Sequence, residues 1–176
     1  MHRVTITGST GAGKSTLAAE VARRLGAPHV ELDALYWDPG WTAVPWERVR
    51  ARADVALPVD GRWVADGNYS RVRDISWGRA DTLVWLDYSL PLVFWQLARR
   101  TVRRGLTHAE LFNGNRETLW KHLFTRESLF LWLLRSYRRH WRENAEALAQ
   151  PEYAHLTVKR FRWPSETRRW LAGLGE

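Results

Sequence analysis

The run Gly8-Ser9-Thr10-Gly11-Ala12-Gly13-Lys14-Ser15-Thr16 carries the densest chemistry in the chain and fits the pattern G-x-x-x-x-G-K-[ST] in full. Glycines at 8, 11 and 13 let the backbone curl without Cβ clashes, so that successive amides and the start of the following helix face an anion. Gly8, Gly11, Ala12, Gly13, Lys14, Ser15 and Thr16 are therefore expected to bind the phosphates of a nucleoside triphosphate. Lys14 is expected to reach the β and γ phosphates and to follow the charge that moves in phosphoryl transfer. Ser15 is expected to bind magnesium through its hydroxyl, with Thr16 as a supporting residue.

A magnesium ion beside such a loop needs a carboxylate at the end of a neighbouring strand. Two carboxylates end apolar runs, Asp66 after Arg62–Ala65 and Asp87 after Thr82–Leu86. In this class of loop the strand after the acceptor segment lies beside the loop's own strand. That favours Asp66, which Gly67 follows with room for a close turn, and leaves Asp87 to fix the loop entering the next helix. The six histidines are dispersed and give no metal-ligand spacing, so magnesium accompanying ATP is the one metal expected.

The elements that must hold these residues read as alternating strands and helices. Strands are expected at Arg3–Thr7, His29–Leu32, Arg62–Ala65, Thr82–Leu86 and Leu156–Phe161. Helices are expected at Lys14–Leu25, ended by Gly26, at Pro45–Leu57, at Pro91–Arg104, over roughly Thr118–Ala149, and from Ser165, which would cap the last one. Residues 68–80 read as an irregular loop. The pattern predicts an α/β fold, a three-layer sandwich around a mostly parallel five-stranded sheet. One domain spans 1–176, with 34–60 as an acceptor-binding segment and 105–128 as a short lid.

With both acidic and glycine-rich sites in view, the chain resembles the adenylate-kinase-like branch of small P-loop kinases, which includes shikimate and gluconate kinases. Within it the chain is similar to the subgroup labelled FlaR-like or DNA topology modulation protein. Asp66-Gly67-Asn68-Tyr69 sits where nucleotide kinases carry an Asp-Gly followed by an aromatic, a proline and an arginine; the proline is absent here. The resemblance implies substrate contacts near Gly67, Arg71 and Arg73. Glu31-Leu32-Asp33-Ala34-Leu35-Tyr36-Trp37 resembles the segment after the second strand of FlaR-like proteins, and in shikimate kinases an aspartate there touches the acceptor hydroxyl. That implies a catalytic and substrate-binding role for Asp33, with Trp37 beside it. The loop Phe161–Ser165 occupies the place that flanks the adenine ring, which implies that Arg162 or Trp163 stacks on the base.

The same resemblance places lid arginines over the transferred phosphate. Arg99 and Arg103, four residues apart on one helix face, and Arg116 and Arg126 in the lid region are the expected catalytic arginines. Arg100, Arg135, Arg138, Arg139 and Arg142 read as a solvated helix face, and Trp46, Trp63, Trp85, Trp95, Trp120 and Trp132 as core.

Composition sets the outer limits. The 176 residues carry a formal charge of +8, and three of the 27 basic residues are lysines. Arginine in that excess suits a phosphate-rich substrate and equally a nucleic acid. The basic and aromatic run Arg135–Arg142 keeps the latter open, although no helix-turn-helix, zinc-finger or RNA-recognition signature accompanies it. Absence of cysteine excludes disulfides and thiolate metal sites. No secretion signal or membrane-length apolar run is visible, so a cytoplasmic monomer or homodimer without membrane partners is expected. The leading expectation is ATP- and magnesium-dependent transfer of the γ-phosphate to a nucleoside monophosphate or similar small acceptor. A kinase of a small hydroxylated metabolite is the alternative. A P-loop ATPase or switch protein with nucleic-acid interaction is the third.

Overall fold

The apolar runs that read as strands are too short to be stable alone and find their hydrogen bonds in one sheet. The computed structural model describes residues 1–107 and 129–174. In chain order the elements are β1 (Arg3–Gly8), α1 (Lys14–Leu25), β2 (His29–Glu31), α2 (Leu32–Tyr36), β3 (Trp37–Asp38), β4 (Thr42–Ala43), α3 (Trp46–Ala56) and β5 (Trp63–Asp66). A 3₁₀ turn (Ser70–Val72) and α4 (Arg73–Ser76) follow. Then come β6 (Thr82–Leu86), α5 (Leu90–Thr107), α6 (Leu129–Leu148), β7 (Thr157–Phe161) and α7 (Pro164–Ala172).

The main sheet has the order β2-β5-β1-β6-β7, and every neighbouring pair is parallel. β1 lies at the centre, between β5, which ends in Asp66, and β6, which Asp87 follows. Asp66 is in register with Ile6, and Gly8 with Leu86. The carboxyl ends of β1, β2 and β5 therefore open on one edge, where ligands bind in sheets of this kind.

Period-two alternation sorts the strand side chains between two cores. Val4, Ile6, Val64, Val84 and Leu86 pack with α1, α5, the first half of α6 and α7. Trp63, Ala65, Leu83 and Trp85 pack on the other face with α2, α3, α4 and the end of α6. The helices thus cover both faces, and the three-layer α/β arrangement read from the sequence is the one found.

Local differences have physical reasons. The segment 34–60 holds a helix turn and a small antiparallel hairpin, with Trp37 paired to Ala43 and Asp38 to Thr42. Residues 68–80 are not loop throughout, because Val72, Ile75 and Trp77 bury and wind the chain into short helices. Ser165 is not the cap of α7: Pro164 occupies the first turn, and Glu166 Oε2 accepts from the backbone N–H groups of Trp163 at 3.1 Å and Arg162 at 2.7 Å. α5 runs on to Thr107, past the expected start of the lid. The rest of the lid, residues 108–128 with Arg116 and Arg126, lies outside the described residues.

Gly11 shows how tightly the glycine-rich loop is seated. Its φ is +88°, and a Cβ there would stand 2.9 Å from Leu97 Cβ and 3.1 Å from the Val93 carbonyl oxygen on α5. Both the conformation and the space exclude a side chain. Gly11→Ala is expected to destabilise the fold by about 1–3 kcal/mol, read as a lower urea midpoint with an unchanged slope.

Candidate active site

Helix α1 starts where the loop ends, so Lys14 and Ser15 are fixed to a rigid element at the carboxyl end of β1. Lys14 Nζ donates to the carbonyls of Gly8 at 2.9 Å and Ser9 at 3.2 Å. Burial holds its pKa below the usual lysine value and Arg100 adds to this, while the carboxylates of Asp66 and Asp33 act the other way. Lys14 therefore feels the charges of both Asp66 and Asp33.

β5 delivers Asp66 to the same edge, 96% buried. Ser15 Oγ donates to Asp66 Oδ2 at 2.7 Å, and His29 Nε2 on β2 lies 2.7 Å from Asp66 Oδ1. The hydrogen bond to Asp66 raises the His29 pKa against the effect of burial. A hydroxyl and a buried carboxylate in contact are hard oxygen donors of the kind magnesium accepts, usually with waters completing the shell. The pair Ser15 and Asp66 fits the ion. Asp87 is engaged elsewhere, accepting from Arg160 Nη2 at 2.6 Å and Nε at 2.9 Å.

Asn68, two residues after Asp66, ties the strand ends together. Its Oδ1 accepts from Thr7 Oγ1 at 2.7 Å and from the Gly8 N–H at 3.2 Å, and its Nδ2 donates to the Gly8 carbonyl at 2.6 Å. Asn144 Nδ2 donates to Thr7 Oγ1 at 3.1 Å from the buried side of α6. Asn68 Nδ2 also lies 3.5 Å from His140 Nδ1. Gly67 makes the turn possible: its φ is +146°, and a Cβ would meet Leu32 Cβ at 2.8 Å.

The opposite wall comes from α2, the hairpin, α3 and the turn after β5. Tyr69 Oη donates to Asp33 Oδ1 at 2.6 Å, and burial together with Asp33 raises the Tyr69 pKa. Tyr36 stacks on Trp46 at 4.9 Å between ring centroids and contacts Trp37 and Tyr69 at 4.8 and 5.4 Å. The Arg71 guanidinium lies over the Trp46 ring at 5.2 Å. Arg52 braces this wall from α3, donating to the Leu35 carbonyl at 3.1 Å and to Asp38 at 2.9 Å.

The walls enclose one cleft of about 1950 Å³, lined by Lys14, Ser15, Asp33, Trp37 and Arg71 among others. That is roughly twice the upper range for a single small ligand of about 1,000 Å³, so a nucleotide and a small acceptor both fit.

The arginines of the cleft differ from those expected. Arg99 and Arg103 are exposed on the outer side of α5, and Arg99 stacks on Trp95 at 5.6 Å. Arg100 lines the cleft instead, with Gln96 one turn earlier. The reason is helical phase: Val93 and Leu97 are buried, and Arg100 follows Val93 by seven residues, which returns it to the same face. Arg135 and Arg139 also line the cleft, as do Arg168 and Pro164 on α7. Arg162 and Trp163 are exposed and do not, because the chain turns into α7 beyond them. Arg73 is not a lining residue either; its guanidinium covers the Trp77 ring at 4.7 Å. Among the tryptophans read as core, Trp63 and Trp85 are buried, whereas Trp95 is exposed and Trp132 faces the cleft.

The basic run Arg135–Arg142 is divided by its helix. Arg135, Arg139 and His140 face the cleft, while Tyr137, Arg138, Trp141 and Arg142 border a separate depression of about 350 Å³. His140 was not singled out by the sequence. Burial and the charges of Lys14, Arg139 and Arg73 hold its pKa down to about 4. It is neutral at pH 7, so between about 4 and the usual 6.5 the unfolded chain binds the extra proton and stability falls as pH falls. Thermal melts across that window are expected to show a loss on the order of 1–3 kcal/mol that His140→Gln removes.

No family model and no curated protein matches this chain. Solved structures do. A gluconokinase from Sinorhizobium meliloti 1021 is 20% identical with a TM-score of 0.53, covering 98% of this chain and 91% of that one. Shikimate kinase from Bacteroides thetaiotaomicron is 16% identical with a TM-score of 0.52, covering 97% and 94%. Shikimate kinase from Acinetobacter baumannii, solved with shikimate, is 17% identical with a TM-score of 0.53, covering 98% and 89%. The chain has the α/β fold of the small P-loop kinases. No helix among the described residues is long and apolar enough to cross a membrane.

Proposed function

We propose that the protein is an ATP- and magnesium-dependent kinase that transfers the γ-phosphate to a hydroxyl group of a small metabolite. The position of Asp33 carries this reading. It lines the same cleft as Lys14 and Ser15, whose hydroxyl donates to Asp66 at 2.7 Å, is oriented by Tyr69, and is close enough for its charge to act on Lys14. A carboxylate there suits an acceptor hydroxyl, whose proton it can take. It repels an acceptor phosphate. A nucleoside monophosphate would also call for arginines at the acceptor wall, and there Arg71 stands over Trp46 while Arg73 is turned onto Trp77. The fold supports the same reading, since the similar solved structures named above are a gluconokinase and shikimate kinases. The FlaR-like resemblance of Glu31–Trp37 belongs to this proposal as well, because that segment forms the acceptor wall.

In the reaction so read, the loop amides and Lys14 hold the donor phosphates. Ser15 and Asp66 would hold magnesium, which supplies charge neutralisation to them. Asp33 accepts the proton of the acceptor hydroxyl as its oxygen bonds to the γ-phosphorus. The bond from phosphorus to the bridging oxygen breaks, and its electron pair leaves with ADP. Arg100, Arg135 and Arg139 face the cleft and offset the spreading charge. Arg168 and Pro164 border the end of the cleft where a nucleotide base would lie.

The test is ADP formation from ATP and magnesium with separate pools of hydroxylated metabolites and of nucleoside monophosphates. Stimulation by a hydroxylated pool, with a phosphate monoester as product, is the expected result. Stimulation by monophosphates alone, yielding diphosphates, would overturn the choice of acceptor.

A further inference from the structure

The hairpin β3–β4 places a tryptophan where the chain favours glycine. Its loop is Pro39-Gly40-Trp41, and Gly40 and Trp41 have φ of +74° and +58°. Trp41 is the one non-glycine residue with positive φ among the described residues. An L residue with a Cβ costs about 1–2 kcal/mol in that region. The ring is 40% exposed, so burial recovers only part of that cost. It does line the cleft, standing edge-on to Trp37 with centroids 5.8 Å apart at 76°.

Trp41 therefore completes a wall of rings, with Trp37, Tyr36, Trp46 and Tyr69, all lining the cleft beside Asp33. Tyr69 joins the two features directly through its hydrogen bond to Asp33. Flat π faces attract other flat rings in offset or edge-on contact. Beside Asp33 the lining here is largely ring surface, its polar side chains including Glu31, Ser70, Arg71 and the hydroxyl of Tyr36.

We propose that this wall binds an acceptor carrying a flat aromatic ring, with its hydroxyl directed to Asp33 and Trp41 stacking on the ring. The inference rests on the kinase reading and narrows its acceptor. Nucleosides and simple aryl alcohols share the required chemistry and form separate arms of the test, against open-chain polyols and cyclic sugars.

The experiment measures turnover of each arm by wild type, Trp41→Ala and Trp41→Phe, and in parallel calorimetric binding of each arm to the protein with magnesium and ADP. One aromatic-ring arm is expected to be phosphorylated. Trp41→Ala is then expected to raise its KM about 10-fold or more, with the KM for ATP unmoved, and Trp41→Phe to restore most of the loss. Turnover confined to polyols or sugars would overturn the inference and leave the kinase reading standing, as would an acceptor KM that Trp41→Ala does not move. If no arm is turned over but an aromatic ring binds to wild type and not to Trp41→Ala, the ring site stands and the kinase reading falls. Absence of both turnover and binding for the aromatic arms overturns the inference.

Discussion

Lys14→Ala is expected to lower kcat/KM by about 10²–10³-fold or more. Lys14 sits at the centre of the cleft's charges, with its ammonium on the Gly8 and Ser9 carbonyls and the carboxylates of Asp66 and Asp33 acting on it. Those carbonyl bonds hold the side chain along the loop, ready to exchange weak neutral acceptors for phosphate oxygens. Charge-assisted bonds of that kind are roughly twice as strong as neutral ones. The loss should appear in kcat, because the charge that Lys14 meets grows as the phosphoryl group departs. Its hydrogen bonds go to two loop carbonyls, so the urea midpoint of the variant should stay close to that of wild type. Full activity in a folded Lys14→Ala protein would remove the basis of the assignment.

The second large effect is expected at Asp33. Asp33→Asn keeps the size of the side chain and an oxygen for Tyr69 but removes the ability to take a proton. Acceptor-dependent kcat should fall about 10²–10⁴-fold, while the affinity for ATP with magnesium stays within a factor of a few. The split separates Asp33 from Asp66, whose replacement should weaken nucleotide binding through the metal. An Asp33→Asn variant with unchanged acceptor turnover would show that the hydroxyl is activated by another group.

How much of this could be read in advance depended on whether the signal was local. The loop Gly8–Thr16 and the strand ends at Asp66 and Asp87 are local patterns; alternating strands and helices point to a parallel sheet, while the neighbouring of the Asp66 strand and β1 was taken from the class of loop. Asp33 came only through resemblance, because nothing in its immediate neighbours marks it; its partner Tyr69 is 36 residues away. Arg99 and Arg103 were paired by their four-residue spacing, which sets a shared face but not which face is turned to the sheet. On α5 the buried stripe Val93, Leu97 and Thr101 points to Arg100, and Arg99 and Arg103 lie well off that stripe. On α6 the buried Leu133, Ser136, Asn144 and Ala147 place His140 on the inward face by the same rule. Both residues were legible had the charged position been read against the apolar period. The Asn68 network was not, since it joins Asn68 to Thr7 and Gly8 on β1 and to His140 on α6, with Asn144 of α6 bonded to Thr7. Neither was the turn at Trp41, because a tryptophan with positive φ contradicts the preference that sequence reading depends on.

The most direct test of the central claim follows the phosphoryl group itself. ATP labelled in the γ position, incubated with magnesium, protein and the hydroxylated acceptor pools, should pass its label to a new phosphate monoester at the rate ADP appears. That transfer should be lost in Lys14→Ala and strongly slowed in Asp33→Asn. Label recovered only as inorganic phosphate, at a rate no acceptor changes and Asp33→Asn does not alter, would contradict the account and make the protein an ATP hydrolase.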